Sequence, residues 1–159
     1  MDRDPEAVAR AIVDANVYMT LATADGDGRP WATPVWYAHD AYVDFLWVSR
    51  PQARHSSNLA TRPDVGIVIF DSTVPEGDAQ AVYLESVARE LTGAERDRAI
   101  EIVSRRSVTH GGDAWDAADV VAPAPHRLYR ATALRHYILG PSDQRVPVKL
   151  APAGRPGLG

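Results

Sequence analysis

The chain has 159 residues, 45% hydrophobic and 24% charged, a balance that suits a single globular domain with one core. A net charge of −4 gives no basic footprint for duplex nucleic acid or an anionic membrane, and the lack of cysteine excludes disulfides, thiolate metal sites and thiol catalysis. The first residues alternate charged and small apolar side chains, unlike a signal peptide, and the longest apolar run, Val65–Phe70, is too short to span a bilayer; a cytoplasmic protein is expected.

Pro5 to Asn16 places Val8, Ile12 and Ala15 at helical spacing behind an acidic start, which predicts a short amphipathic helix capping one end of the fold. Tyr18 to Thr23 reads as a strand, the segment from Ala24 to Pro30 as a Gly-rich hairpin turn, and Trp31 to Ala38 as the return strand. A second turn near His39-Asp40-Ala41 leads into a strand over Tyr42 to Ser49. Arg54 to Thr61 is predicted helical and stops before Pro63; Val65 to Asp71 and Ala81 to Leu91 are strands either side of an acidic loop. In the latter, Val82, Leu84, Ser86 and Ala88 share one face and Tyr83, Glu85 and Val87 the other. Thr92 and Glu95 have capping-box spacing ahead of a helix with an Ile100, Ile102 and Val103 stripe, and His126 to Leu139 forms the last long strand. Residues 1–140 are read as one domain and 141–159 as an extended Pro- and Gly-rich tail. Strands joined by turns point to an α+β fold built on an antiparallel barrel with peripheral helices.

The sequence has no Gly-x-Ser-x-Gly elbow, phosphate-loop Lys or His-Glu-x-x-His helix. Its five histidines are dispersed, so no metal site is expected, and Asp25 and Asp27 suit turn geometry. Two segments combine exposed backbone with anion-binding side chains. In Trp31-Ala-Thr-Pro-Val-Trp-Tyr37, Pro34 removes a ladder donor and marks an edge, a bulge or a place where a ligand meets the strand. In Trp47 to Leu59 a strand end runs into a helix start carrying Ser49, Arg54, His55, Ser56 and Ser57, and free helix N–H groups beside a guanidinium suit a phosphate as well as an ordinary cap.

Met19-Thr-Leu-Ala-Thr23, Pro34-Val-Trp-Tyr37, Leu46-Trp-Val-Ser49, Arg54-His55, Asn58-Leu59 and Arg62 to Val68, in that order, resemble the pyridoxamine 5'-phosphate oxidase-like flavin-binding split barrels. The resemblance implies an antiparallel split β-barrel and a homodimer with FMN at the subunit interface. It places the flavin ring along Thr33, Pro34, Val35 and Trp36, with Trp36 or Trp47 packed on it. The phosphate falls at Val48, Ser49, Arg54 and His55, with Ser56, Ser57 and Asn58 nearby and Gln80, Tyr83 and Glu85 at the rim. The implied activity is FMN-dependent oxidoreduction of a small molecule. The alternatives are a reductase using the deazaflavin coenzyme in the same groove, or a non-catalytic flavin-binding or storage protein. Two positions depart from the family: His55 stands where Lys or Arg is common, and Arg135-His136-Tyr137 does not match the Arg-x-His substrate motif of the vitamin B6 oxidases.

Overall fold

The computed structural model describes residues 3–150. The first helix, α1 (Pro5–Ala15), starts where Asp4 accepts a hydrogen bond from the Glu6 amide at 3.1 Å, and its Ala9 and Val13 are buried in the core. Eight strands follow: β1 (Tyr18–Ala24), β2 (Pro30–Trp36), β3 (Ala38–Asp40), β4 (Asp44–Ser49), β5 (Asp64–Phe70), β6 (Ala81–Glu90), β7 (Arg127–Leu139) and β8 (Arg145–Val148). Helix α2 (Arg54–Thr61) links β4 to β5, and α3 (Gly93–Thr109) follows β6.

All strand pairs are antiparallel, in the order β2-β1-β5-β6-β7-β4-β3, with β8 added to the end of β7 that β4 does not reach. The sheet curls around a core built from alternate residues of each strand, among them Met19, Leu21, Phe45, Trp47, Ile67, Ile69 and Leu84. A second cluster lies on the outer face of β3 and β4, where Leu46 and Leu128 meet Ile100 and Val103 of α3. The long β7 serves both by alternation, Leu128 facing the outer cluster and Tyr129 and Ala131 the core, and a bulge opposite Glu85 and Ser86 shifts its register farther along. The predicted antiparallel split barrel with peripheral helices is therefore what the chain forms.

Three local expectations change. The segment predicted as one strand from Trp31 to Ala38 is two, because at Tyr37 the chain leaves β1 for β4. The Tyr37 hydroxyl donates to the Val13 carbonyl at 2.6 Å, pinning that corner to α1. Thr92 precedes α3 but makes no side-chain cap; Glu95 instead pairs with Arg89 and, at 3.3 Å, with Arg130. Residues 141–150, predicted as the start of an extended tail, form a 3₁₀ turn and β8, and Val148 and Leu150 enter the core; the remainder, 151–159, lies outside the described residues.

Tyr37→Phe isolates the corner bond, since the ring still packs against Phe45. Removing a buried hydroxyl that satisfies a carbonyl costs about 1 kcal/mol. Chemical denaturation should show that loss with an unchanged denaturant slope.

Candidate functional site

The sheet does not close. β2 pairs with β1 alone and β3 with β4 alone, which leaves a split between the free edge of β2 and the β4 side of the barrel. The Tyr37 amide donates to the Val17 carbonyl at 3.1 Å, so by antiparallel alternation Trp31, Thr33 and Val35 turn their peptide groups to β1. Ala32, Pro34 and Trp36 turn theirs to the open edge. Pro34 thus occupies an edge position where its missing N–H breaks no ladder bond.

Helix α2 sits against β1 and β2 at one end of this split. Its cap residue is Ala53, which has no side-chain acceptor, and the first intrahelical bond runs from the Ser57 amide to the Ala53 carbonyl at 3.0 Å. The amides of Arg54, His55 and Ser56 lie ahead of that bond, so they present donors and the positive end of the helix dipole. The exposed Arg54 guanidinium stacks over the Trp31 ring, 4.3 Å from its centroid, and forms no ion pair among the described residues. Ser49 ends β4 on the inward-facing side shared with Phe45 and Trp47, and its Oγ lies 2.8 Å from His55 Nε2.

His55 is only 8% exposed, and burial holds its imidazole below the ordinary pKa range. Burial disfavours its charged form, so it acts as a hydrogen-bonding partner of Ser49 and not as the cation that a Lys or Arg would supply at this position. Asn58 is buried and structural: its Nδ2 donates to Thr23 Oγ1 at 3.0 Å, tying α2 to β1. Ser56 is buried as well, whereas Ser57 is exposed.

The remaining residues divide between the two faces of the sheet. Thr33 and Val35 face inward, Val35 as part of the core. Pro34 is exposed on the outer face, while Trp36 and Val48 are half-buried against the α3 cluster. Trp47 is fully buried and stacks on Tyr129 with centroids 5.6 Å apart, so it belongs to the core and cannot cover a ligand ring. Thr33, Pro34, Val35 and Trp36 are brought together as a strand backbone, not as a common side-chain surface. Gln80, Tyr83 and Glu85 lie on or beside β6, with Glu85 paired to Arg135 at 3.5 Å. Trp31, the platform under Arg54, was not among the predicted site residues; its place two residues before Thr33 on an edge strand was the available signal.

The charge state of the buried histidines has a measurable consequence. His136, like His55, is held below the usual range by burial, though its bond to the Tyr42 carbonyl at 2.6 Å opposes the shift. The unfolded chain takes up protons at both sites that the folded chain refuses. Their contribution to stability is therefore full above the unfolded value of about 6.5 and is lost as pH falls below it. The urea midpoint should drop between about pH 7 and about pH 5.5, and the drop should shrink in a His55→Gln/His136→Gln double variant.

A family model described as pyridoxamine 5'-phosphate oxidase matches residues 5–138. Among solved structures, the heme binding protein of Mycobacterium smegmatis is 22% identical with a TM-score of 0.73, covering 94% of this chain and 60% of its own. This chain thus spans about 60% of the length of that relative. HutZ, the heme storage protein of Vibrio cholerae, is 18% identical with a TM-score of 0.63 and covers 78% of this chain and 86% of its own. An F420 reductase is 15% identical with a TM-score of 0.60, over 80% of this chain and 94% of its own. Among curated proteins, none matches the sequence. At these identities the neighbours establish the fold alone, and the family match carries the assignment: the chain, from its first helix to the end of its longest strand, belongs to the pyridoxamine 5'-phosphate oxidase family.

Proposed function

We propose that the split holds FMN as the cofactor of an oxidoreductase, with the phosphate at the start of α2 and the flavin ring along the open edge of β2. The observation that carries this reading is the convergence of Arg54, unpaired and stacked on Trp31, with the uncapped amides of Arg54, His55 and Ser56 and the Ser49 hydroxyl. A phosphate dianion needs several donors and a cation in one place, and these residues supply both. The peptide groups of Ala32 and Trp36 supply further polar contacts for a planar heterocycle. When bound, the flavin would supply hydride or electron transfer, and the protein would supply orientation and solvent exclusion.

The reading extends to a homodimer with the cofactor at the interface. On the outer face of the sheet, α3 and the short 3₁₀ turn at Ala117–Val120 cover β3, β4 and the start of β7. Elsewhere on the outside Tyr18 is 59%, Phe70 48% and Leu134 65% exposed, an apolar surface that suits burial by a second copy.

Two other ligands have specific support. A deazaflavin coenzyme has the same planar ring and phosphate tail, and the F420 reductase shares this fold. Heme has one candidate ligand in His110, beside the half-buried Trp36 at 6.5 Å between ring centroids. His110 Nδ1 faces the Arg106 carbonyl at 2.9 Å; a carbonyl only accepts, so Nδ1 carries a hydrogen and Nε2 is the nitrogen left to meet a metal.

Native mass spectrometry of the purified protein, incubated separately with FMN, the deazaflavin coenzyme and hemin, discriminates among these. FMN retained by a dimer is the expected result. Retention of either competitor with release of FMN would overturn the flavin reading.

A further inference from the structure

We propose that His55 is a positioning residue that aims the Ser49 hydroxyl hydrogen at a bound phosphate, and so sets a preference for phosphorylated over unphosphorylated ligands. The inference rests on the phosphate site proposed above.

Ser49 ends β4 and His55 lies in the first turn of α2, with the Arg50–Ala53 turn between them. Ser49 Oγ and His55 Nε2 are 2.8 Å apart, and the imidazole is only 8% exposed, so packing fixes the ring against the hydroxyl. A serine hydroxyl has one hydrogen to give. With Nε2 bare, Ser49 donates to the imidazole and turns only lone pairs toward the split, which repel an anion. With a hydrogen on Nε2, the imidazole donates to Oγ and the Ser49 hydrogen is free for a phosphate oxygen.

An anion at the uncapped start of α2 selects the second arrangement. That selection needs only a change of tautomer, which leaves the number of protons on the ring unchanged. A Lys or Arg at this position would bring its own charge; this chain instead has an imidazole that converts a neighbouring hydroxyl into a directed donor. The consequence is a specificity switch: Ser49 and His55 act as one unit, felt by FMN and not by riboflavin, which lacks the phosphate.

The test compares FMN and riboflavin affinities in the full chain by fluorescence titration. His55→Phe keeps the ring bulk and removes the donor; FMN affinity should fall about tenfold while riboflavin affinity holds. His55→Gln, whose amide can donate from the same region, should restore most of the difference. Ser49→Ala, at a more accessible position, should give the same loss, and the double variant Ser49→Ala/His55→Phe no more than either alone. In the unmodified protein, the ¹⁵N resonance of His55 Nε2 should move to its protonated value on adding FMN and stay in place with riboflavin. Equal effects on both ligands, or an Nε2 resonance indifferent to FMN, would overturn the relay while leaving the phosphate site intact. If the unmodified protein binds FMN no better than riboflavin, the phosphate site itself fails and the relay with it.

Discussion

Replacing Trp47 with alanine should destabilise the protein by about 3–5 kcal/mol, the range for deleting a large buried aromatic. Trp47 has no exposed surface and stacks on Tyr129 at an interplanar angle of 16°, so its removal leaves a cavity in the middle of the barrel and unstacks a ring pair. The indole Nε1 is buried without a hydrogen-bond partner among the described residues, an unfavourable feature that the native packing outweighs. Trp47→Phe should accordingly cost much less than Trp47→Ala, since it keeps most of the apolar contact and removes the unpaired N–H. Urea denaturation of the two variants provides the comparison. Similar large losses for both would mean that the indole makes a polar interaction that this packing lacks.

Arg54→Ala should weaken FMN binding about tenfold to a hundredfold with little change in stability. Hydrogen bonds between ionised partners contribute about 1.5–3 kcal/mol, which converts to that span of affinity. The side chain is exposed and stacked on Trp31, so its loss opens no cavity and strands no buried partner. Because the site faces solvent, the effect should shrink as salt rises. Arg54→Lys should recover only part of the affinity, since an ammonium neither stacks flat on an indole nor offers a planar fork. Trp31→Ala should give a smaller loss in the same direction, by freeing the guanidinium from its platform. Titration with FMN at low and high salt reads all three, and an unchanged affinity in Arg54→Ala would remove the guanidinium from the site.

The fold was readable because its signals are local and repeated. β6 alternates so regularly that Val82, Leu84, Ser86 and Ala88 all face inward as the pattern indicates, and α2 ends ahead of Pro63 at the predicted residue. The break at Tyr37 was not readable, because the residues on both sides favour strands equally well. What divides them is a long-range bond from the Tyr37 hydroxyl to a helix carbonyl 24 residues earlier. The cap of α3 failed for a similar reason, since Arg89 and Arg130 compete for Glu95 and neither is a local neighbour in the helix.

The site was legible as a region and not as a list. Sequence order placed Ser49, Arg54 and His55 together, and the structure brings Ser49 into contact with His55. Residue type alone gave Trp47 and Trp36 equal standing as ring partners; strand alternation puts one in the core and the other under α3. The protonation of His55 could not be read either, because it depends on how far α2 buries the ring. The most useful geometric fact, that β2 has an unpaired edge, follows from sheet order and has no signature beyond Pro34.

The most direct test of the central claim is backbone amide chemical-shift mapping of the isotope-labelled protein during addition of FMN. The largest changes should fall on Ala32 and Trp36 at the open edge of β2 and on Arg54, His55 and Ser56 at the start of α2. Silent amides in both segments, with the changes gathered at the far end of the barrel around α1 or absent altogether, would contradict it.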